Sequence, residues 1–228
     1  VDNGAKIINM SFGKSFSPDK KWVDEAIAYA QSKDVLLVHA AGNESWDVDS
    51  TDNFPNASLS FVNSEANNFL NVGASGDAQV GDGKLIAYFS NYGAQTVDVF
   101  APGVKIYSTL PRQAHYGYMD GTSFSAPIVS GIAALIRSYY PQLNAQQVKL
   151  AIENSVMPIP DSLSLPEPGT NKTVCMKQLC FTGGIVNAEK ALKFADALQP
   201  QLLQTANQPQ KNSTGMGGNS SSAVKNNQ

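Results

Sequence analysis

The sequence predicts an α/β fold built on a mainly parallel sheet, and three observations carry that prediction. A short apolar run from Lys6 to Met10 is followed by a helix-start signal with a helical pattern behind it. A second short run, Val35 to Val38, comes next and is apolar at every position, as a strand buried on both faces should be. Strand, helix, strand in that order is the grammar of parallel pairing, because two parallel strands need a crossover between them.

Taken in order, the Lys6–Met10 run leads into Ser11-Phe12-Gly13, read as a loop. Ser17-Pro18-Asp19 reads as a helix start: a capping hydroxyl, proline in the first turn and an acid near the positive end of the dipole. Trp22, Val23, Ala26, Ile27 and Ala30 follow at helical spacing. The Val35–Val38 strand runs out into Ala40-Ala41-Gly42-Asn43, and the stretch from Asn43 to Asn68 is polar and loop-like. Strands are expected at Phe69–Ala74, Lys84–Tyr88, Val97–Phe100 and Lys105–Leu110, separated by Gly, Asn and Pro signals. Gly121-Thr122-Ser123 then opens an apolar run to Arg137 that reads as a turn followed by a buried helix. Asn144 with Gln147 three residues on is a capping-box start for a helix through Ile152, and a last helix is expected from Asn187 to Ala197. After Pro200 the composition turns to Gln, Asn, Ser and Gly, which divides the chain into a folded domain over 1–199 and a disordered polar tail or linker over 200–228.

Composition narrows the functions open to such a fold. With 228 residues and 42% hydrophobic side chains the chain can bury a sizeable core. A net charge of −3 gives no basic footprint, so neither nucleic acid nor an anionic membrane surface is the expected partner. The longest apolar stretch, Ala126 to Ile136, is interrupted by Pro127, Ser130 and Gly131 and is too short to span a bilayer. No charged-then-apolar leader opens at Val1, so no signal peptide is read there. The two cysteines, Cys175 and Cys180, share one short segment; a small loop disulfide in an oxidising compartment is the expectation, against a pair of unlinked thiols. Two such ligands with no histidine nearby do not make a zinc site. Asp47, Asp49 and Asp52 could together ligate calcium, although an EF-hand loop needs Gly and Glu where Asp52 and Ser58 stand.

The chemistry centres on Gly121-Thr122-Ser123. A serine hydroxyl is a poor nucleophile until a base removes its proton and donors stabilise the oxyanion that forms. A serine at a helix start gains from the dipole, and a preceding glycine permits close backbone approach. Pro127 has no N–H, so the Ser123 carbonyl must lose its helical partner.

The longer string G-T-S-F-S-A-P with I-V-S-G-I-A-A-L-I closely resembles the nucleophile motif of the subtilisin-like serine proteases. In the same chain order, I-I-N-M-S-F-G resembles that family's cleft strand, L-L-V-H-A-A-G-N-E its oxyanion-hole segment, and F-S-N-Y-G with D-V-F-A-P-G-V-K-I-Y-S-T the run leading to the nucleophile. The matching stretches extend from Ala5 to about Val156. The resemblance implies a three-layer α/β fold with a mainly parallel sheet, incomplete at its N-terminal side. It implies that Ser123 attacks the scissile carbonyl, that the Asn43 amide and the Ser123 N–H hold the oxyanion, and that the Thr122 hydroxyl assists. It also implies that Ser11, Phe12 and Gly13 pair with an extended polypeptide substrate, while Ala40, Ala41 and Gly42 wall a roomy pocket for a large apolar residue. Losing a donor such as Asn43 costs on the order of a hundred- to thousandfold in turnover, a magnitude measured within this same family.

In this family the triad runs Asp, His, Ser along the chain. No D-T-G, D-S-G or H-G-T occurs here, and neither His39 nor His115 lies where the family has its base. His39 is expected to be a packed or hydrogen-bonded residue beside the cleft. The chain is therefore read as the C-terminal part of a serine endopeptidase domain, inactive alone and poorly folded until the N-terminal half of the same domain partners it. No catalytic metal or cofactor is required; structural calcium, which many relatives bind, is the one ion in view. The family also implies a location outside the cytoplasm. The competing reading is a non-catalytic relative that uses the cleft only to bind peptides. The S-x-x-K pairs Ser11/Lys14 and Ser17/Lys20 lack the K-T-G that accompanies that chemistry, and G-x-S-x-G is absent at Ser123.

Overall fold

The first apolar run forms β1 (Ile7–Met10), and α1 (Lys20–Ser32) carries the chain over to β2 (Leu36–Ala40), which pairs parallel with β1, Ile7 opposite Leu36. This computed structural model describes residues 1–206 apart from 63, 78, 80–82 and 112–114, with side chains as far as 199. A two-residue hairpin, β3 (Ser58–Leu59) with β4 (Ser64–Glu65), interrupts the polar stretch before β5 (Phe69–Ser75) joins β2. Beside β5 lies β6 (Val99–Pro102), again parallel. The antiparallel hairpin β7 (Ile106–Thr109) and β8 (Tyr116–Met119) then leads directly into α2 (Thr122–Tyr139) and α3 (Ala145–Glu153). Short strands β9 (Met157–Pro158), β10 (Leu165–Pro166), β11 (Thr173–Val174) and β12 (Gly184–Ile185) precede α4 (Ala188–Ala206). The central sheet has the order β1-β2-β5-β6-β12-β9, parallel throughout except for β9 against β12.

Three layers follow from strand alternation. Leu36, Val38 and Ala40 of β2, with Leu70 and Val72 of β5, face Ala126, Val129, Ala133 and Ile136 of α2. The intervening Leu37 and Phe69 face the other way, onto Ile27 and Ala30 of α1. Phe100 of β6 anchors a third cluster with Ile86, Met176 and Leu179. Every residue of β2 is buried, which is why its sequence shows no alternation.

The structure alters several local expectations. Helix α1 begins after Asp19, whose side chain makes no capping bond, and Ser17 lies outside it. The expected strand at Lys84–Tyr88 is not formed. Ile86 makes one isolated bridge to Ser75 while Gly76 and Ala87 bond back across the end of β5, so the apolar signal there reports burial and not pairing. The capping box is present, with Asn144 Oδ1 accepting from Gln147 N–H and Gln147 Oε1 from Asn144 N–H, both at 2.9 Å. Helix α4 continues beyond the expected end at Ala197 to Ala206, and residues 207–228 of the expected tail lie outside the described residues.

Candidate active site

Ser123 stands in the first turn of α2, preceded by Gly121 at φ +146°. The missing N–H of Pro127 frees the Ser123 carbonyl, and Ser11 Oγ donates to it at 2.8 Å. In return Ser123 Oγ–H points at the Ser11 carbonyl, 3.3 Å away. The nucleophile candidate and the strand edge beside it are thus latched to each other. Asn9 strengthens the latch, donating from Nδ2 to Ser11 Oγ at 2.9 Å and accepting from Ser130 Oγ of α2 at 3.1 Å.

Asn43 reaches the same spot from the loop after β2. Its Oδ1 accepts from the Thr122 backbone N–H at 2.9 Å and from the Thr122 hydroxyl at 3.0 Å, and Gly42 N–H donates to that hydroxyl at 3.1 Å. With the carbonyl end of the carboxamide held twice, the Nδ2 donors are turned outward and make no hydrogen bond among the described residues. The buried Thr122 hydroxyl thus helps orient the Asn43 carboxamide. Gly42 sits at φ +106°, and a Cβ there would overlap Asn91 Nδ2 and come within 2.6 Å of Glu44 Oε2. Only glycine lets this turn close.

A cleft of about 460 Å³ opens beside Ser123, lined by Phe12, Gly13, Ala40, Gly42, Asn43 and Thr122 among others. Ala41 is fully buried behind this wall and does not line the cleft. Its carbonyl is taken by Asn53 Nδ2 at 2.7 Å and Asn91 Nδ2 at 2.9 Å. Asn53, Glu44, Trp46 and Lys14 complete the lining, so the pocket is more polar than its small alanines and glycine suggested. Asn53 Oδ1 approaches to 3.0 Å of where a Cβ on Gly13 would lie, which places its carboxamide across the space between the two walls. Asn91, fully buried, accepts from the backbone N–H groups of Glu44 (3.0 Å) and Trp46 (2.9 Å) and donates to Glu44 Oε2 (2.8 Å). Neither Asn53 nor Asn91 was assigned a role from sequence. A buried Asn in S-N-Y-G was the only signal that could have pointed to the second.

Neither histidine reaches Ser123. His39 is 1% exposed, its Nε2 2.8 Å from the Phe12 carbonyl and its Nδ1 3.1 Å from Asn71 Oδ1, the packed residue expected of it. Burial holds its pKa below the ordinary value, against the pull of Asn71 and Phe12. His115 is exposed at φ +49° immediately before β8, at the loop end of the β7–β8 hairpin. Asp49 is used as a turn anchor, accepting from the N–H groups of Gln95 (3.1 Å) and Thr96 (2.9 Å). Among the described residues no three His, Cys, Asp or Glu side chains converge to hold a metal ion, Asp47, Asp49 and Asp52 included. The expected disulfide is absent. Cys175 stands at the start of the single-turn helix Met176–Gln178, while Cys180 is buried beside Thr182 and the Gly184 carbonyl, with burial pushing its thiol pKa up.

A parallel α/β sheet that sets a serine at a helix start, beside a fixed carboxamide whose donors face outward, is a subtilisin-like fold. The chain belongs to the subtilase family, whose profile matches residues 1–217. It is 35% identical to Subtilisin DY of Bacillus licheniformis over 163 residues, which are 71% of this chain and 53% of that protein. To Thermitase of Thermoactinomyces vulgaris it is 34% identical over 194 residues, 85% of this chain and 56% of the relative. The solved prenylagaramide maturation protease PagA is similar with a TM-score of 0.63 and 31% identity, over 85% of this chain and 63% of that one. The chain spans about half the length of these two curated relatives. No helix among the described residues is long and apolar enough to cross a membrane.

Proposed function

We propose that this chain is the C-terminal part of a subtilisin-like serine endopeptidase that hydrolyses peptide bonds through an acyl-enzyme on Ser123. The observation that carries the proposal is the locked carboxamide. Two hydrogen bonds from Thr122 leave Asn43 no orientation except donors outward, toward the space in front of Ser123. In the reaction Ser123 Oγ bonds the scissile carbonyl carbon as a base takes its proton and passes it to the leaving amine. Water then adds to the ester, releasing the acid and restoring Oγ–H. Asn43 Nδ2 and the Ser123 backbone N–H meet the oxyanion in both halves. Ser11 and Gly13 offer backbone groups to an extended substrate.

The Asp and His of the triad come, on this proposal, from chain that precedes these residues. Two features support it: β1 is the edge of the sheet, and the outward face of α2 carries Pro127, Ala134 and Leu135 in the open, with empty space beside Gly131. A helix apolar on all sides belongs in an interior, so the N-terminal half of the same domain is the partner that covers it. The chain alone is accordingly inactive, since removing the base of such a triad costs roughly a millionfold. A location outside the cytoplasm rests on the family alone, because the free cysteines lend it no support.

Fluorophosphonate labelling of the complete, fully processed protein tests the proposal, with the modified peptide mapped by mass spectrometry. Label on Ser123 that disappears in Ser123→Ala is the expected result, together with no label on this chain by itself. A folded parent that takes no label makes the cleft a peptide-binding surface only.

A further inference from the structure

His39 is buried, touches the cleft edge, and has no part in the chemistry above. Strand alternation on β2 turns it away from α2, where its ring lies 5.5 Å from that of Phe69. Its surroundings are unusual in one respect. Nε2 faces the Phe12 carbonyl at 2.8 Å, an acceptor by chemistry. Nδ1 faces Asn71 Oδ1 at 3.1 Å, and that carboxamide cannot turn over freely, because its Nδ2 donates to the Thr96 carbonyl at 2.9 Å. A neutral imidazole has one N–H for these two acceptors; the imidazolium has two.

Charged groups share the cavity with the ring. The cavity of about 260 Å³ that His39 lines is shared with Asp49 and Asp52 of the loop after β2, Glu65 of β4, Asp98 before β6 and Lys149 of α3. Four acids thus stand against one base, which is itself paired with Asp98 at 2.8 Å. Burial opposes protonation and holds the ring below its ordinary pKa, so the charged form is reached only as the pH falls.

What the ring holds is the middle of the substrate edge. Along an extended segment successive carbonyls point to opposite sides. The Ser11 carbonyl lies on the Ser123 side, and the Phe12 carbonyl points inward to His39. Lys14 and Phe54 exchange backbone bonds at the far end, and Ser11 is latched to α2 at the near end. Among the described residues Phe12, between them, is hydrogen-bonded only by His39.

We propose that His39 is a positioning residue for the Ser11–Gly13 edge, holding the Phe12 carbonyl most firmly when protonated, so that extended substrates bind more tightly as the pH falls. The proposal rests on the protease reading, and its test separates the two. In the complete protein, kcat and KM for an extended peptide are measured from pH 5 to 9 in the parent, His39→Ala and His39→Gln, alongside fluorophosphonate labelling, which needs no extended edge. Expected are a KM about tenfold higher in His39→Ala with kcat changed less than about threefold, and labelling rates unchanged in all three. His39→Gln should restore KM at high pH but lose the parent's fall in KM on acidification. Loss of label in the parent overturns the protease reading, whereas unchanged labelling with equal KM profiles in all three overturns the role of His39. Should the variants not fold, ¹⁵N-histidine spectra of the Ser123→Ala parent decide. A proton on Nε2 throughout, joined by one on Nδ1 at low pH, is expected; a ring unprotonated at Nε2 overturns the proposal.

Discussion

Glu153 offers the sharpest test of the electrostatics behind the sheet. It lies at the end of α3, 3.5 Å from Lys149 Nζ, which also pairs with Asp98 at 2.8 Å and donates to the Phe69 carbonyl at 2.6 Å. Burial raises the Glu153 pKa, Lys149 pulls it down and Asp98 raises it again, leaving it at about 7 against an ordinary 4.5. Lys149 is itself pulled down by burial, but Asp98 and Glu153 more than offset that and raise it. One lysine is shared by two carboxylates, and Glu153 is the one left short. A raised folded-state pKa means that the native protein holds a proton the unfolded chain has released, so its stabilising effect is complete below 4.5 and is lost as pH rises through about 7. At about 1.4 kcal/mol per pH unit the loss is on the order of 3 kcal/mol at most. Glu153→Gln removes the charge and keeps the shape. In the complete protein on a Ser123→Ala background, which prevents self-digestion, the variant should melt a few degrees above its parent at pH 8 and level with it at pH 5. A variant that melts at or below the parent at pH 8, with the same slope between pH 5 and 8, refutes the reasoning.

Three further outcomes are expected. Asn53→Ala should shift preference at the residue before the cut toward larger apolar side chains by on the order of tenfold in kcat/KM, read from a series of peptide substrates, because it clears the carboxamide between Gly13 and Ala41 while Asn91 still holds the Ala41 carbonyl. Gly103→Ala should cost about 1–3 kcal/mol and abolish Ser123 labelling even in folded protein. A Cβ there would meet Ser125 Oγ and come within 2.6 Å of Ala74 Cβ and 3.0 Å of the Gly121 carbonyl, displacing the turn that carries Ser123. Alkylation without reductant should modify both cysteines in denaturant but only Cys175 in the native protein; a mass showing neither modified would restore the disulfide.

Legibility followed the range of the interactions. The capping box of Asn144 and Gln147 could be read directly, since both partners lie within one turn. The buried strand at β2 was equally plain, because burial on both faces leaves a continuous apolar run. Lys84–Tyr88 misled for the same reason, as Ile86 and Ala87 are apolar through burial, with one isolated bridge from Ile86 to Ser75 and no continuous strand. Two-residue strands such as β9 and β12 leave no periodicity to find. In the site, Ser123 and Asn43 were visible as motif residues, but Asn53 was not. Its part depends on the loop after β2 folding back so that it meets Ala41, twelve positions earlier in the chain.

Pro127 shows where that boundary lies. Its missing N–H is a covalent fact, so an unpartnered Ser123 carbonyl could be foreseen from the sequence; which group would take that carbonyl could not. The partner is Ser11 Oγ, 112 positions away and brought there by the parallel sheet. One proline therefore does two things at once. It leaves an acceptor open at the start of α2, and that acceptor ties the segment after β1 to Ser123. The same economy recurs at Thr122, whose backbone and hydroxyl both converge on Asn43, 79 positions away. The groups that position Ser123 and Asn43 are backbone and hydroxyl donors whose identities are unremarkable in sequence. They come together only through the long-range closure that the sheet imposes.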